Sequence, residues 1–77
     1  MEYEILDELK TKYERLHIEV EYKDIRKYLI IAKINEYETK FLYIYDAKLT
    51  FDANISKIEQ EIDKRIIKYY KGVDINV

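Results

Sequence analysis

The spacing of apolar residues changes period twice along this chain, from helical to alternating and back to helical, and that order admits few folds. From Glu2 to Leu16, the residues Ile5, Leu6, Leu9, Tyr13 and Leu16 recur at three- and four-residue steps, which places them on one stripe of a helix. Its opening turns carry Glu2, Glu4, Asp7 and Glu8, and Lys10, Lys12 and Arg15 follow, the order that a helix dipole favours. From His17 to Tyr22 the period becomes two, with Ile18, Val20 and Tyr22 opposite His17, Glu19 and Glu21, the pattern of a strand with one wet face. After a turn around Lys23 and Asp24, the run Tyr28 to Ile34 is rich in β-branched and aromatic residues, and Asn35 to Glu38 separates it from Thr39 to Tyr45. Those two runs predict a hairpin.

Asp46 to Lys48 turns the chain, and Leu49 and Phe51 either add a short fourth strand or lead into the next helix. That helix is expected to begin between Asp52 and Ser56, where Ser56-Lys57-Ile58-Glu59 matches a capping box. Ile55, Ile58, Ile62, Ile66 and Tyr69 keep helical spacing up to Gly72, a residue suited to ending a helix. The tail, residues 73–77, alternates like a strand and is a candidate for docking on a sheet edge, in this molecule or a neighbour. The prediction is one domain over residues 1–77, of α+β class: an N-terminal helix, an antiparallel sheet of three strands with a fourth as the alternative, and a C-terminal helix. Both helices are expected on one face of the sheet.

The 77 residues leave little room for a buried cleft, since a chain this short buries only roughly 60% of its unfolded surface. With no cysteine, neither a disulfide framework nor a thiolate metal site supports the fold. Absent cysteines suit a reducing cytoplasm, an acidic Met1-Glu2-Tyr3-Glu4 is unlike a secretory signal, and no apolar run approaches a membrane span. A cytoplasmic protein without a membrane partner is therefore expected. The net charge of -2 gives no bulk attraction for a polyanion.

No motif carries catalytic chemistry. The single histidine, His17, has Glu19 and Glu21 on its side of the strand, but no second histidine completes a metal site. The carboxylates fall on wet helix faces, strand faces or turns, whereas acid–base catalysis needs one raised by burial. Ser56 is best read as a cap, and one glycine is too few for a phosphate loop. No cofactor, metal or catalytic residue is predicted.

The middle and third strands carry apolar residues on both faces, Tyr28, Ile30, Ala32 and Ile34 against Leu29 and Ile31, and Phe41, Tyr43 and Tyr45 against Leu42 and Ile44. Two helices cover one face only, so the other is expected to present an apolar patch of the kind that marks an association surface. Nine tyrosines stand beside two phenylalanines, and tyrosine gives large contact area with a hydrogen-bonding tip. Tyr28, Leu29, Ile31, Tyr37, Tyr43, Tyr45 and Tyr70 are the candidate partner-binding residues. Lys64, Arg65, Lys68 and Lys71, interleaved with Tyr69 and Tyr70, form a candidate basic patch, although a helix dipole explains cations there equally well.

The expected function is a small non-enzymatic protein-binding module that occludes another protein, as inhibitor or adaptor, through a sheet face or by adding a strand at an edge. The same surface is a candidate for homodimer formation. The alternatives are nucleic-acid binding at the basic helix end and, last, a small enzyme whose site is shared across a dimer. The Lys, Ile, Tyr, Glu and Asn bias suits an AT-rich phage or mobile element, and the helix, three-strand, helix order resembles some small anti-CRISPR inhibitors in topology and composition. That resemblance implies an anti-defence role.

Overall fold

The computed structural model describes residues 1–74, with side chains as far as Tyr69. The elements run α1 (Glu2–Lys12), β1 (His17–Asp24), β2 (Lys27–Ile34), β3 (Tyr37–Ile44) and α2 (Phe51–Asp74), the α-β-β-β-α order expected. The strands form one antiparallel sheet in the order β1-β2-β3. Two-residue turns, Ile25-Arg26 and Asn35-Glu36, join them, and each takes one residue at positive φ: Arg26 at 60° and Asn35 at 55°. Asparagine tolerates that conformation, whereas arginine carries a Cβ penalty there.

Both helices lie on the same face. Ile5 and Leu9 of α1 and Ile55, Ile58 and Ile62 of α2 pack on Ile18, Val20, Tyr28, Ile30, Ala32 and Phe41 of the sheet. Period two places these sheet residues on one side, and α1 sits over β1 while α2 sits over β3. Ile5, Leu9, Ile30, Ile58 and Ile62 have no exposed surface, and their burial is the main source of stability in a chain without disulfides.

Three boundaries differ from the sequence expectation, and of the two readings open for Leu49 and Phe51 the structure takes the lead into α2. Helix α1 stops at Lys12, because Tyr13 leaves helical geometry (φ -110°, ψ 68°) while its hydroxyl donates to the Asp63 carboxylate at 2.6 Å and the Glu59 carbonyl at 3.1 Å. Helix α2 starts at Phe51, ahead of the Ser56 box, because Thr50 Oγ1 accepts from the Ala53 N–H at 3.1 Å and caps the end. No fourth strand forms over residues 49–51. The Asp46 carboxylate accepts the Lys48 N–H at 2.9 Å and its carbonyl the Leu49 N–H at 3.1 Å, folding the chain straight into α2. Finally, α2 continues through Gly72 to Asp74. Glycine inside a helix costs only about 1 kcal/mol against alanine, so it is no obligatory stop. Residues 73 and 74 of the expected strand-like tail are thus helical, and 75–77 lie outside the described residues.

Tyrosine hydroxyls bolt α2 to the remainder. Besides Tyr13, the Tyr37 hydroxyl donates to the Arg65 carbonyl at 3.4 Å and that of Tyr43 to Asn54 Oδ1 at 2.6 Å. The Tyr37 ring also stacks on Tyr69, 4.6 Å between centroids. Burial pushes the phenols of Tyr13, Tyr28 and Tyr43 above the ordinary tyrosine value, and the Asp63 hydrogen bond adds to it at Tyr13. The fold therefore favours the protonated phenols. Their contribution is complete below the unfolded tyrosine pKa of about 10 and is lost as pH rises past it. Urea midpoints measured from pH 8 to 11.5 are expected to be level to about pH 9.5 and then fall steeply, and Tyr13→Phe should make the fall shallower by up to about one proton's worth of slope.

Candidate protein-contact surface

The strand residues that alternate with the core set form a face no helix covers. Register sets them in rows: His17, Lys33 and Glu38, then Glu19, Ile31 and Lys40, then Glu21, Leu29 and Leu42, and last Lys27 beside Ile44. The face divides into two halves of different chemistry.

The first two rows close over themselves. Glu19 Oε2 lies 3.2 Å from His17 Nε2 and 3.5 Å from Lys33 Nζ, while Glu38 lies 3.4 Å from Lys33 and 3.5 Å from Lys40. The hydrogen bond to Glu38 and the charge of Glu19 hold the Lys33 ammonium above its ordinary pKa. Ile31, at the centre of this half, is only 7% exposed although it belongs to the open face and not to the core cluster. The aliphatic stems of its charged neighbours cover it.

The other half is not covered. Leu29 is half-buried, Leu42 and Ile44 are 57% and 58% exposed, and Ile25, in the turn at the same end, is 77% exposed. Cross-strand neighbours make Leu29, Leu42 and Ile44 one contiguous apolar corner.

Both sheet edges are engaged by helix side chains. The Glu2 carboxylate accepts the Tyr22 N–H at 2.7 Å on the outer edge of β1. On the outer edge of β3, Arg65 Nη1 donates to the Lys40 carbonyl at 3.2 Å and to Thr39 Oγ1 at 2.9 Å. In an antiparallel sheet the Tyr22 N–H and the Lys40 carbonyl belong to the row that faces away from the neighbouring strand. Strand addition at either edge would have to displace these contacts.

The structure separates the residues singled out from sequence. Leu29 and Ile31 lie on the open face. Tyr28 does not: it is 5% exposed in the core. Tyr37, Tyr43 and Tyr45 are half-buried on the helix-covered side, Tyr43 and Tyr45 packed against the core cluster, so none of the sheet tyrosines lines the uncovered face. The Tyr70 side chain lies outside the described residues. In the basic patch, Lys64 and Lys68 are exposed beside the 52% exposed Ile67. Arg65 is turned onto the sheet instead, paired with Glu61 at 3.0 Å and stacked 4.8 Å from the Phe41 ring centroid, because its guanidinium finds acceptors for its N–H groups and an aromatic face there. The side chain of Lys71 is outside the described residues. Leu42 and Ile44 were read only as one apolar face of the third strand and Ile25 and Lys27 not at all, yet a two-residue turn pairing Ile34 with Tyr37 puts Leu42 opposite Leu29 by counting alone.

No group of three His, Cys, Asp or Glu residues among the described residues is placed to hold a metal ion. No helix among them is long and apolar enough to cross a membrane. Comparisons with models of known protein families, with curated proteins and with solved structures found no match to this chain.

Proposed function

We propose that this chain is a cytoplasmic, non-enzymatic protein-binding module that works by covering another protein, as an inhibitor or adaptor does, with the open face of its sheet. The observation that carries this reading is the half-sealed face: charges close over Ile31, while Leu29, Leu42 and Ile44 stay uncovered at the end that also exposes Ile25. An exposed aliphatic cluster rimmed by polar groups is the usual anatomy of a contact site. The engaged edges favour face contact over strand addition. The nucleic-acid alternative has less support, since Arg65 is committed to Phe41, Thr39 and Glu61.

Leu42→Glu and Ile44→Glu test it. Both positions are more than half exposed, so each is expected to change stability by less than about 1 kcal/mol and to leave helical circular dichroism intact. Retention of partner protein on a column of the immobilised chain is expected to fall at least about tenfold, the effect of placing an unpaired charge in an apolar contact. Lys57→Glu, on the exposed side of α2, should retain it. Equal retention by wild type and Leu42→Glu would sink the proposal.

A further inference from the structure

The apolar corner of the open face ends at the Ile25-Arg26 turn, and that turn is built from residues a hairpin does not favour. Resting on the protein-contact reading above, we propose that Ile25 and Arg26 are the specificity-determining residues of the contact. They enter a concave surface on a partner protein, where an apolar pocket takes Ile25 and oxygen acceptors beside it take the Arg26 guanidinium.

Arg26 holds φ at 60°, the left-handed region that a Cβ disfavours and that glycine or asparagine takes with little penalty. The other turn of the sheet shows the ordinary solution, Asn35 at 55°. A long side chain kept in that region is uncommon, and such residues gather at clamps and contact sites, where the side chain is needed for another reason. Folding supplies no such reason here. The Arg26 side chain is exposed and makes no hydrogen bond or ion pair among the described residues. Its acidic neighbour Asp24 directs Oδ1 to the Ile25 N–H at 2.7 Å. What fixes the turn to the end of β3 is backbone alone, the Tyr45 N–H donating to the Arg26 carbonyl at 2.6 Å, and any residue would supply that carbonyl. Ile25 follows the same pattern. At 77% it is the most exposed large apolar residue among the described ones, at a turn position where Asn, Asp or Gly is usual.

Area points the same way. The whole open face, three strands about 4.8 Å apart and eight residues of about 3.4 Å, spans roughly 400 Å², and half of it is closed by its own charges. Each partner of a stable complex buries about 800 Å², so the contact has to continue past the sheet. At the Leu42 and Ile44 end it continues onto this turn, since Lys27 lies opposite Ile44 in register and Ile25-Arg26 directly precede Lys27. The face runs across the strands and the turn lies beyond their ends, so one surface that touches both is concave. An exposed aliphatic side chain beside an arginine fork, on a turn held by backbone hydrogen bonds, is the composition of a contact hot spot.

The test places a photo-reactive benzophenone amino acid at position 42 and compares the adduct formed in the cells that make the chain, with the turn unchanged or carrying Ile25→Asn, Arg26→Gly, Arg26→Asn or Arg26→Lys. The melting temperature of each purified variant is measured alongside. Arg26→Gly and Arg26→Asn relieve the backbone, and both are expected to melt about 3–6 °C higher while giving at least about tenfold less adduct. Arg26→Lys keeps the charge and the backbone conformation but not the fork, and should lose about threefold with an unchanged melt. Ile25→Asn should lose at least about fivefold with a melt within about 3 °C of the parent. Undiminished adduct from Arg26→Gly and Ile25→Asn would overturn the role of the turn and leave the face reading standing. A lower melt for Arg26→Gly would overturn it too, by showing that the arginine serves the fold. Absence of any protein adduct from position 42 would overturn both readings. An adduct of twice the chain's mass would assign the surface to self-association, and a nuclease-sensitive one to nucleic acid, either of which overturns the proposed partner.

Discussion

Replacing Asn54 with alanine is expected to remove roughly 3 kcal/mol of stability, out of a total of order 5–10 kcal/mol for a domain of this size. Asn54 has no exposed surface and joins α2 to β3 and to the loop between them. Its Oδ1 accepts the Tyr43 hydroxyl at 2.6 Å and the Asp46 N–H at 2.8 Å, and its Nδ2 donates to the carbonyls of Asp46 and Thr50 at 3.0 and 2.9 Å. Alanine leaves the Tyr43 hydroxyl and the Asp46 N–H without that acceptor. It also leaves space behind, and each orphaned group costs about 1–3 kcal/mol where water cannot replace the partner. Thermal unfolding should shift down by about 10–20 °C. Tyr43→Phe removes one bond of the set and should cost about 1 kcal/mol, with the double variant less destabilised than the sum because the two share that bond. A shift of only a few degrees for Asn54→Ala would show that this junction does not hold β3 to α2.

The second large effect separates the two faces of one strand. Ile30→Ala is expected to cost about 3–4 kcal/mol, and Ile31→Ala about 1–1.5 kcal/mol. The two residues are adjacent, share side chain and strand, and differ little in exposure, at 0% and 7%. What differs is the cover. Ile30 packs in the cluster of helix and sheet residues, where truncation leaves a cavity that the surroundings cannot fill. Ile31 lies under the stems of partly exposed charged neighbours, long side chains with room to close over a smaller one. Urea unfolding of both variants at one pH decides it, and equal costs would mean that the face called open is packed like a core.

The architecture was legible because the signal that reports it, the period of apolar residues, is local. Ile5 and Leu9 at helical spacing and Ile18 and Val20 at alternating spacing needed no knowledge of partners. Element ends were less legible, since they depend on tertiary bonds. Tyr13 leaves α1 while its hydroxyl is taken up by α2, and Thr50 wins the cap from Ser56 because Asn54 is drawn into the junction with Asp46 and Tyr43. The face assignment was legible only in part. Tyrosine content suggests contact surface on average, but a phenol is also suited to tying a helix to a sheet, and Tyr13, Tyr37 and Tyr43 do that here. Leu29 and Ile31 fell on the uncovered face, but their exposure differs because Glu19, Lys33, Glu38 and Lys40 surround one and not the other, a consequence of register across three strands.

The same register connects fold to proposed function. Opposite charges at cross-strand positions seal half the face and, with Glu2 and Arg65 engaged at the edges, limit indiscriminate pairing between sheets. One apolar corner of that face remains, set on a sheet whose other side carries the core. A contact surface held this way loses little conformational freedom on binding, which favours affinity from a small area.

Site-specific photo-crosslinking tests the central claim most directly. A benzophenone amino acid is placed at position 42 or 44, or at position 57 as the control on the exposed side of α2, and the chain is irradiated in the cells that make it. Positions 42 and 44 are expected to yield the same protein adduct, reduced by Leu29→Glu at the neighbouring position, while 57 yields none. Adducts from 57 alone, or none from 42 and 44, would contradict the assignment of the open sheet face as the contact surface.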